Sequence, residues 1–504
     1  MGAGKSLSAQ SCGEHLLLKE IKMFVIGLDI GTTCTKALVL SKDGRIAASG
    51  SHGYELISSG RHIEQRAEDW TEAAVTAVRE ALREIDGSLV EAISLSTQGA
   101  STIAVDKNGK TIGNALTWMD GRAADEAAEL ERKLSNDYIY TATGWKANPS
   151  LDAAKIMYMK KQPPYVEAAA FLSTLEFLNL FLTGRAVIDP TNAAMRQLYN
   201  IEEGRWDRKL LEASGISEQE LTPVLPTGAE VGTLCENAAE LMGLKAGIPV
   251  FNGAHDQYCA AIGAGAVHDG DMLLSAGTTW VLLGIGKKPV RTKSCIAAGK
   301  HPVAGLYGAL ASLVCSGASL QWYRDRFLSE GFDAMDREVA KRKDMDLCFY
   351  PYLTGAAYPI WNRKAKGAFT GITLAHDRFD FARAIMEGVA FGVKRGLEDF
   401  ADNGCRVGRL MIMGGAAKSR VWCQMISDIA GIPVLRLNQA DICAVGAGMI
   451  AACGLGWYDG YETAARTITH VERVYEPEEE NRQYYKEKYI KFRNMWDCMQ
   501  KFYE

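Results

Sequence analysis

No stretch of this chain stays apolar for the roughly 18 residues that a membrane-crossing helix requires, and Leu16-Leu17-Leu18 is too short for the core of a signal peptide. Basic residues are not in excess: 56 Lys and Arg stand against 61 Asp and Glu, a formal charge of −5, so the electrostatic footprint of a nucleic-acid binder is missing. Proline is sparse, 13 in 504 residues, and 47% of the chain is hydrophobic, which excludes a disordered class. None of the 12 cysteines forms a C-x-x-C pair, and Cys259, Cys315, Cys443 and Cys453 lie in apolar, small-residue runs. They read as buried, reduced thiols. What remains is a cytoplasmic protein of two or three domains, at roughly 150 residues each, working on small molecules without nucleic acid or membrane.

Glycine is plentiful, and two glycine corners carry most of the information. The first ends the β-branched run Val25-Ile26-Gly27-Leu28-Asp29-Ile30-Gly31-Thr32-Thr33; the second ends Met272-Leu273-Leu274-Ser275-Ala276-Gly277-Thr278-Thr279. Each reads strand, turn, strand. Glycine lets a backbone approach an anion, and the threonines add hydroxyls beside successive amides, so such corners suit phosphates. A lone Gly-Thr-Thr is as readily a plain hairpin corner. Two of them half a chain apart point to a duplicated α/β domain whose halves clamp a polyphosphate.

From Met23 the pattern predicts strands at 24–29, 36–40 and 46–51, a helix over 71–85, and a strand over 90–96 that delivers Thr97-Gln98-Gly99 to a loop. Helical and irregular material fills the middle. A strand over 249–252 leads into a Gly253-Ala254-His255-Asp256 turn followed by Gln257. The second half opens with strands at 271–275 and 280–284, then helices near 317–327 and 381–400. A strand over 409–413 runs through Gly414-Gly415-Ala416-Ala417-Lys418-Ser419 into a helix carrying Trp422, Ile426 and Ile429. A last helix, 479–502, sets Tyr485, Tyr489, Phe492 and Trp496 at core spacing. Gly2-Ala3-Gly4-Lys5-Ser6 mimics the end of a P-loop without a strand before it, and residues 1–22 read as a leader, a tag or an upstream start.

In this order the motifs resemble the FGGY carbohydrate kinases, a branch of the actin, Hsp70 and hexokinase superfamily. Asp29-Ile30-Gly31-Thr32-Thr33-x-x-Lys36 is similar to the family's first phosphate motif, Gly277-Thr278-Thr279 to its second, and Gly414 to Gln424 to its adenosine motif. The likeness runs from about Met23 to about Tyr475. Departures are the Tyr352 to Pro359 stretch, where many pentulose kinases carry Gly-Glu-Arg, and Gln98-Gly99-Ala100, where many xylulose kinases carry Met-His.

The resemblance implies two ribonuclease-H-like domains flanking a cleft, a sugar-binding one over 23–267 and a nucleotide-binding one over 268–475, with 476–504 as a C-terminal helix. It implies ATP and Mg2+ as cofactors and a hydroxyl of a ketose or polyol as acceptor. A pentulose such as xylulose leads, with ribulose, gluconate, glycerol and erythritol as alternatives. A non-catalytic actin-like ATP-binding regulator is the rival from another class, and a homodimer is the assembly left open.

The roles follow. Asp256 is the base for the acceptor proton, and His255 a packed neighbour. Asp29 holds Mg2+ through water. Gly31, Thr32, Thr33, Gly277, Thr278 and Thr279 stabilise phosphate oxygens, with Lys36 as an added charge or a solvated side chain. Gly414, Gly415, Ala416 and Ser419 take the adenosine. Gln98, Gly99, Trp118, Asp120, Arg122 and Gln257 converge with Asp256 on the polyol; the plainer reading of Asp120 and Arg122 is a capped helix start with a surface ion pair.

Overall fold

The structure, a computed structural model, describes residues 23–342, 346–359, 361–438 and 441–503. Residues 1–22, with the P-loop mimic, lie outside the described residues. The expected meander is present as β1 (Phe24–Ile30), β2 (Cys34–Ser41) and β3 (Ile46–Gly53). After α1 (Ala67–Ala81) the chain returns as β4 (Val90–Thr97), parallel to β1 on its far side. Then come α2 (Thr174–Thr183), β5 (Glu230–Thr233), β6 (Pro249–His255) and α3 (Asp256–Gly263). The first sheet has the order β5-β6-β4-β1-β2-β3.

The second half repeats the plan. A hairpin of β7 (Asp271–Ala276) and β8 (Trp280–Gly286) is followed by β9 (Ile296–Lys300), β10 (Tyr307–Leu313), α4 (Ser316–Phe327) and α5 (Arg378–Asp402). The chain continues through β11 (Arg409–Met413), α6 (Arg420–Ala430), β12 (Val434–Leu437), α7 (Ile442–Gly454), β13 (Val471–Tyr475) and α8 (Glu479–Gln500). The sheet order is β9-β10-β8-β7-β11-β12-β13. In both sheets the first hairpin strand pairs antiparallel with its successor and parallel with a strand that returns after a helix.

Side chains alternate across these strands, and the alternation decides what each face meets. Phe24, Ile26, Leu28 and Ile30 pack with Trp70, Ala74 and Val78 of α1 and Leu175 and Leu178 of α2. Met272, Leu274 and Ala276 pack likewise with Ile385 and Val389 of α5 and Ile426 of α6. On the opposite faces Val25 and Leu273 share one core with α3 and α7, which lie between the sheets. Asp29 and Ser275, each two residues before a corner glycine, belong to that inner face. At the far end α8 buries Tyr485, Tyr489, Phe492 and Trp496 as its spacing predicts, and Lys488 meets Glu387 of α5 at 2.5 Å in the same interior.

Two expectations shift. Helix α1 begins at Ala67, four residues before the periodic pattern suggests, because the buried Ala67 and Trp70 extend its inner face and Glu68 and Asp69 suit a first turn. The strand β6 runs through Gly253 to His255, so Asp256 opens a helix instead of sitting in a turn. Gly253 marks a register shift against β4, where a Cβ would stand 1.8 Å from the Leu95 carbonyl oxygen.

The seam between the halves is a backbone contact. A Cβ on Gly27 would stand 2.0 Å from the Ala444 oxygen of α7, and one on Gly446 1.9 Å from the Cys259 oxygen of α3. Since no side chain can flex to relieve that clash, Gly446→Ala is expected to lose about 1–3 kcal/mol or more, visible as a lower thermal midpoint. Gly331→Ala, whose Cβ meets nothing within 4 Å, is the control; equal melting of the two variants contradicts the seam.

Candidate active site

The inner face of β1 ends in Asp29, which stands beside Lys36 across the hairpin and beside Ser96 on β4. Ser96 Oγ donates to Asp29 Oδ1 at 2.7 Å. Burial pushes the Asp29 carboxyl up to about 7; the Ser96 bond opposes the rise, the charge of Asp256 adds to it, and Lys36 opposes it. Lys36 is not simply solvated: its Nζ lies 2.5 Å from Asp441 Oδ1, immediately before α7. A side chain of the first half thus pairs with one of the second.

The first corner is braced through its carbonyls. Tyr54 Oη donates to the Gly31 oxygen at 2.6 Å, Gln65 Nε2 to the Thr32 oxygen at 2.8 Å, and the Tyr54 amide to the Thr33 oxygen at 3.0 Å. The carbonyl side is spent within the protein. At the second corner Gly277, Thr278 and Thr279 are exposed, and the Ala318 amide at the start of α4 donates to the Thr278 oxygen at 3.0 Å. Gly414 presses on the same corner with φ at +91°, and a Cβ there would come 2.7 Å from the Ala276 oxygen. Glycine is required on both counts.

Beyond Gly414 the chain makes a 3-10 turn, Gly415–Lys418, and Ser419 caps α6 by accepting from the Trp422 amide at 3.0 Å. Gly415 faces open space and Ala416 is buried. Trp422 packs on Trp280, with ring centroids 4.8 Å apart, and donates to the Met386 oxygen. Gln424 bonds Asp428 and the Glu476 oxygen. Trp422 thus ties the turn to the core, while Gln424 fastens α6 to the segment after β13.

Asp256 lies where the halves meet. Its backbone is set by the His255 amide, which donates to Thr191 Oγ1 at 2.8 Å, while Thr191 in turn donates to the buried Asp189. His255 is buried, packs on Tyr258 and sits 3.2 Å from Asp256 Oδ1 through Nε2. The next residue, Gln257, accepts from Ser275 Oγ of β7 at 3.2 Å.

Gln98 is buried beside the first corner: its amide donates to the Ile30 oxygen and its Nε2 to Gln65 at 2.9 Å, while its own Oε1 has no partner among the described residues. Gly99 lies against the His255 ring. Trp118 keeps 45% of its surface exposed and donates from Nε1 to Thr32 Oγ1 at 3.1 Å. Asp120 and Arg122 form a buried pair, not a surface one. The Asp120 carboxylate accepts from the Ile63 and Arg122 amides and from the Arg122 guanidinium, whose Nη2 also reaches Glu64 at 2.6 Å. The adjoining helix starts at Ala124 without a side-chain cap.

Sequence models of the two domains of the FGGY family of carbohydrate kinases match this chain, the N-terminal one over residues 24–263 and the C-terminal one over 272–455. The chain belongs to the FGGY family of carbohydrate kinases. It is therefore a sugar kinase, a phosphotransferase, and the actin-like regulator reading falls away. It is 28% identical to a xylulose kinase of Staphylococcus epidermidis over 93% of this chain and 95% of that one. With a glycerol kinase of Saccharolobus solfataricus it shares 29% identity over 90% and 92%. A crystal structure of gluconate kinase from Lactobacillus acidophilus superposes with a TM-score of 0.90 at 24% identity, over 96% and 99% of the two chains.

Sequence reasoning about this FGGY kinase missed Asp441, Ser96, Gln65, Glu64 and Thr191. Their partners are remote in sequence, so no local spacing announces them. Asp441 had the nearest thing to a signal, as an acidic residue just before an apolar helix.

The elevated Asp29 pKa has a sign that can be measured on the protein free of nucleotide and metal. A folded carboxyl that holds its proton more tightly than the unfolded one, at 3.8, adds stability that is complete below that pH and lost as pH rises through about 7. Asp29→Asn is expected to melt higher than the parent at about pH 8, with the gap closing toward about pH 4. Equal melting at both values means the carboxylate is not desolvated.

Proposed function

We propose that this kinase transfers the terminal phosphoryl group of ATP to a hydroxyl of a ketose or polyol, with a pentulose such as xylulose as the first candidate acceptor. The observation that carries the reading is Asp256, which opens α3 at the seam, lies close enough for its charge to act on Asp29 near the first Gly-Thr-Thr corner, and is followed by Gln257, bonded to Ser275 two residues before the second. We assign the acceptor to the unit 23–267 and the nucleotide to 268–475. The described cysteines are all free thiols and no described helix is long and apolar enough to cross a membrane, which fits the cytoplasmic location we assign.

The residues fit the cofactors. Gly277 and Gly415 leave room where a side chain would intrude, as a nucleotide requires. Among the described residues no three or more His, Cys, Asp or Glu make a metal cage. Mg2+ keeps water and takes one or two carboxylates plus phosphate oxygens, and Asp29 is the carboxylate that would hold it. Mg2+ held by Asp29 would supply neutralisation of phosphate charge.

In the reaction Asp256 accepts the acceptor hydroxyl proton as the oxygen attacks. Amides and hydroxyls of Gly31 to Thr33 and Gly277 to Thr279 receive the charge that moves onto the phosphoryl oxygens. Gln98, through its unpartnered Oε1, and Gln257 bind acceptor hydroxyls, and the exposed Trp118 ring covers a carbon face. Gly99 keeps the floor low, while Asp120 and Arg122 hold the Trp118 loop. Gly414, Gly415, Ala416 and Ser419 shape the adenosine turn. Lys36 stands at the phosphate end, its charge partly met by Asp441.

Relatives named for xylulose, gluconate and glycerol share this scaffold, so a panel decides the acceptor. Xylulose, ribulose, gluconate, glycerol and erythritol are each added to protein and Mg-ATP and ADP is followed; xylulose is expected to stimulate most. Asp256→Asn is expected to lower kcat about 10²–10⁴-fold with the KM for ATP unchanged. Sugar-dependent turnover that survives in that variant removes Asp256 from its role.

A further inference from the structure

Lys155 is fully buried, yet nothing in the reaction as derived above uses it. It sits on the helix Asp152–Met159 beneath the acceptor loops. Its Nζ donates to the Ala100 oxygen at 2.6 Å and approaches the Leu116 oxygen at 3.4 Å. Ala100 follows Gln98 and Gly99 and is held at φ +49°, a region that non-glycine residues seldom enter. Leu116 lies two residues before Trp118. The two segments are also joined by a pair of backbone bonds between Thr102 and Leu116, so the Leu116 oxygen that Lys155 approaches also accepts from the Thr102 amide at 2.9 Å.

We propose that Lys155 is a positioning residue for the acceptor: its ammonium draws the Gln98–Ala100 loop and the Leu116–Trp118 segment onto one point and so sets the gap between Gln98 and Trp118. An ammonium suits this task because it carries three donors on a compact centre, and two carbonyl oxygens are within its reach. Burying that charge is costly, and removing it alone leaves the Ala100 oxygen without this donor and the buried Asp152 carboxylate without this nearby cation, so loss of stability is expected beside any loss of positioning. The two effects are told apart by where exchange rises, locally or throughout the chain. The inference rests on the acceptor site assigned above.

The charges facing Lys155 come from four directions: Asp152 on its own helix, Asp120 and Arg122 on the Trp118 loop, Arg196 close to Asp152, and Glu176 of α2 paired with Arg196. Burial pulls the Lys155 ammonium down to about 8, against the pull of Asp152 and Asp120, with Arg122 adding to the fall. A proton lost above that pH takes the positive charge and one of the three donors with it, and so weakens both bonds.

Lys155→Met tests the tether by hydrogen exchange, which needs no substrate. Faster exchange at 98–102 and 115–119 is expected, with 275–280 unchanged, together with an acceptor KM raised about tenfold or more and an ATP KM within about twofold. Unchanged exchange in the two acceptor segments overturns the proposal whether or not any sugar stimulates ADP release, so its failure and that of the acceptor assignment stay distinct. A uniform rise in exchange across the chain also overturns it, since that marks a role in folding alone. Should the variant not fold, the parent chain decides: its acceptor KM is expected to climb above about pH 8 while the ATP KM stays level, and a flat acceptor KM to about pH 9.5 refutes the tether.

Discussion

The crossing of α3 and α7, with backbone against backbone, is the constraint on which the rest of the site depends. Asp256 opens one of these helices and Asp441 immediately precedes the other, and both charges act on Asp29. The clash distances at Gly27 and Gly446 leave no play for a side chain between them. The two glycine corners, each at the end of a strand in its own sheet, are tied to one another through this contact.

The polar links across the halves are weaker and of another kind. Lys36 and Asp441 are about one-third exposed, and a pair so placed contributes roughly 0–1 kcal/mol. The Ser275 to Gln257 bond, at 3.2 Å, is long for a hydroxyl donor. Bonds of this size can break and re-form as a substrate enters, whereas the helix crossing cannot be parted without loss of the shared core. A cleft that closes over its acceptor to keep water from ATP needs that combination of a firm pivot and yielding lips.

The fold was legible in the chain because its strongest features are local. Strand, glycine corner, strand is written within a dozen residues twice over, and the face of α8 is spelled by four aromatics. The end of β6 was misread because Gly253 looks like a turn, when it serves a bulge against Leu95. The Asp120 and Arg122 pair was seen as an ion pair but not as a buried one, because Glu64 and the Ile63 amide that enclose it lie far back along the chain. Lys155 escaped for the same reason: a lysine in a helix reads as solvated until the loops folded over it are known.

The duplication also explains why the halves cannot be equivalent. Asp29 and Ser275 occupy the same place, two residues before a corner glycine and on the inner face of matching strands, so an exact repeat puts a carboxylate at both. Two such groups aimed at one polyphosphate add repulsion from each side, and a buried carboxyl already close to another acid, as Asp29 is to Asp256, sheds its proton reluctantly. A hydroxyl at Ser275 removes one of the charges and still supplies a donor, which Gln257 accepts. The matching strand place is thus acidic in the first half alone, where on the reading proposed above Asp29 would hold a cation and Asp256 take a proton. On the same reading the corner of the second half offers neutral donors to phosphate oxygens that are negative already.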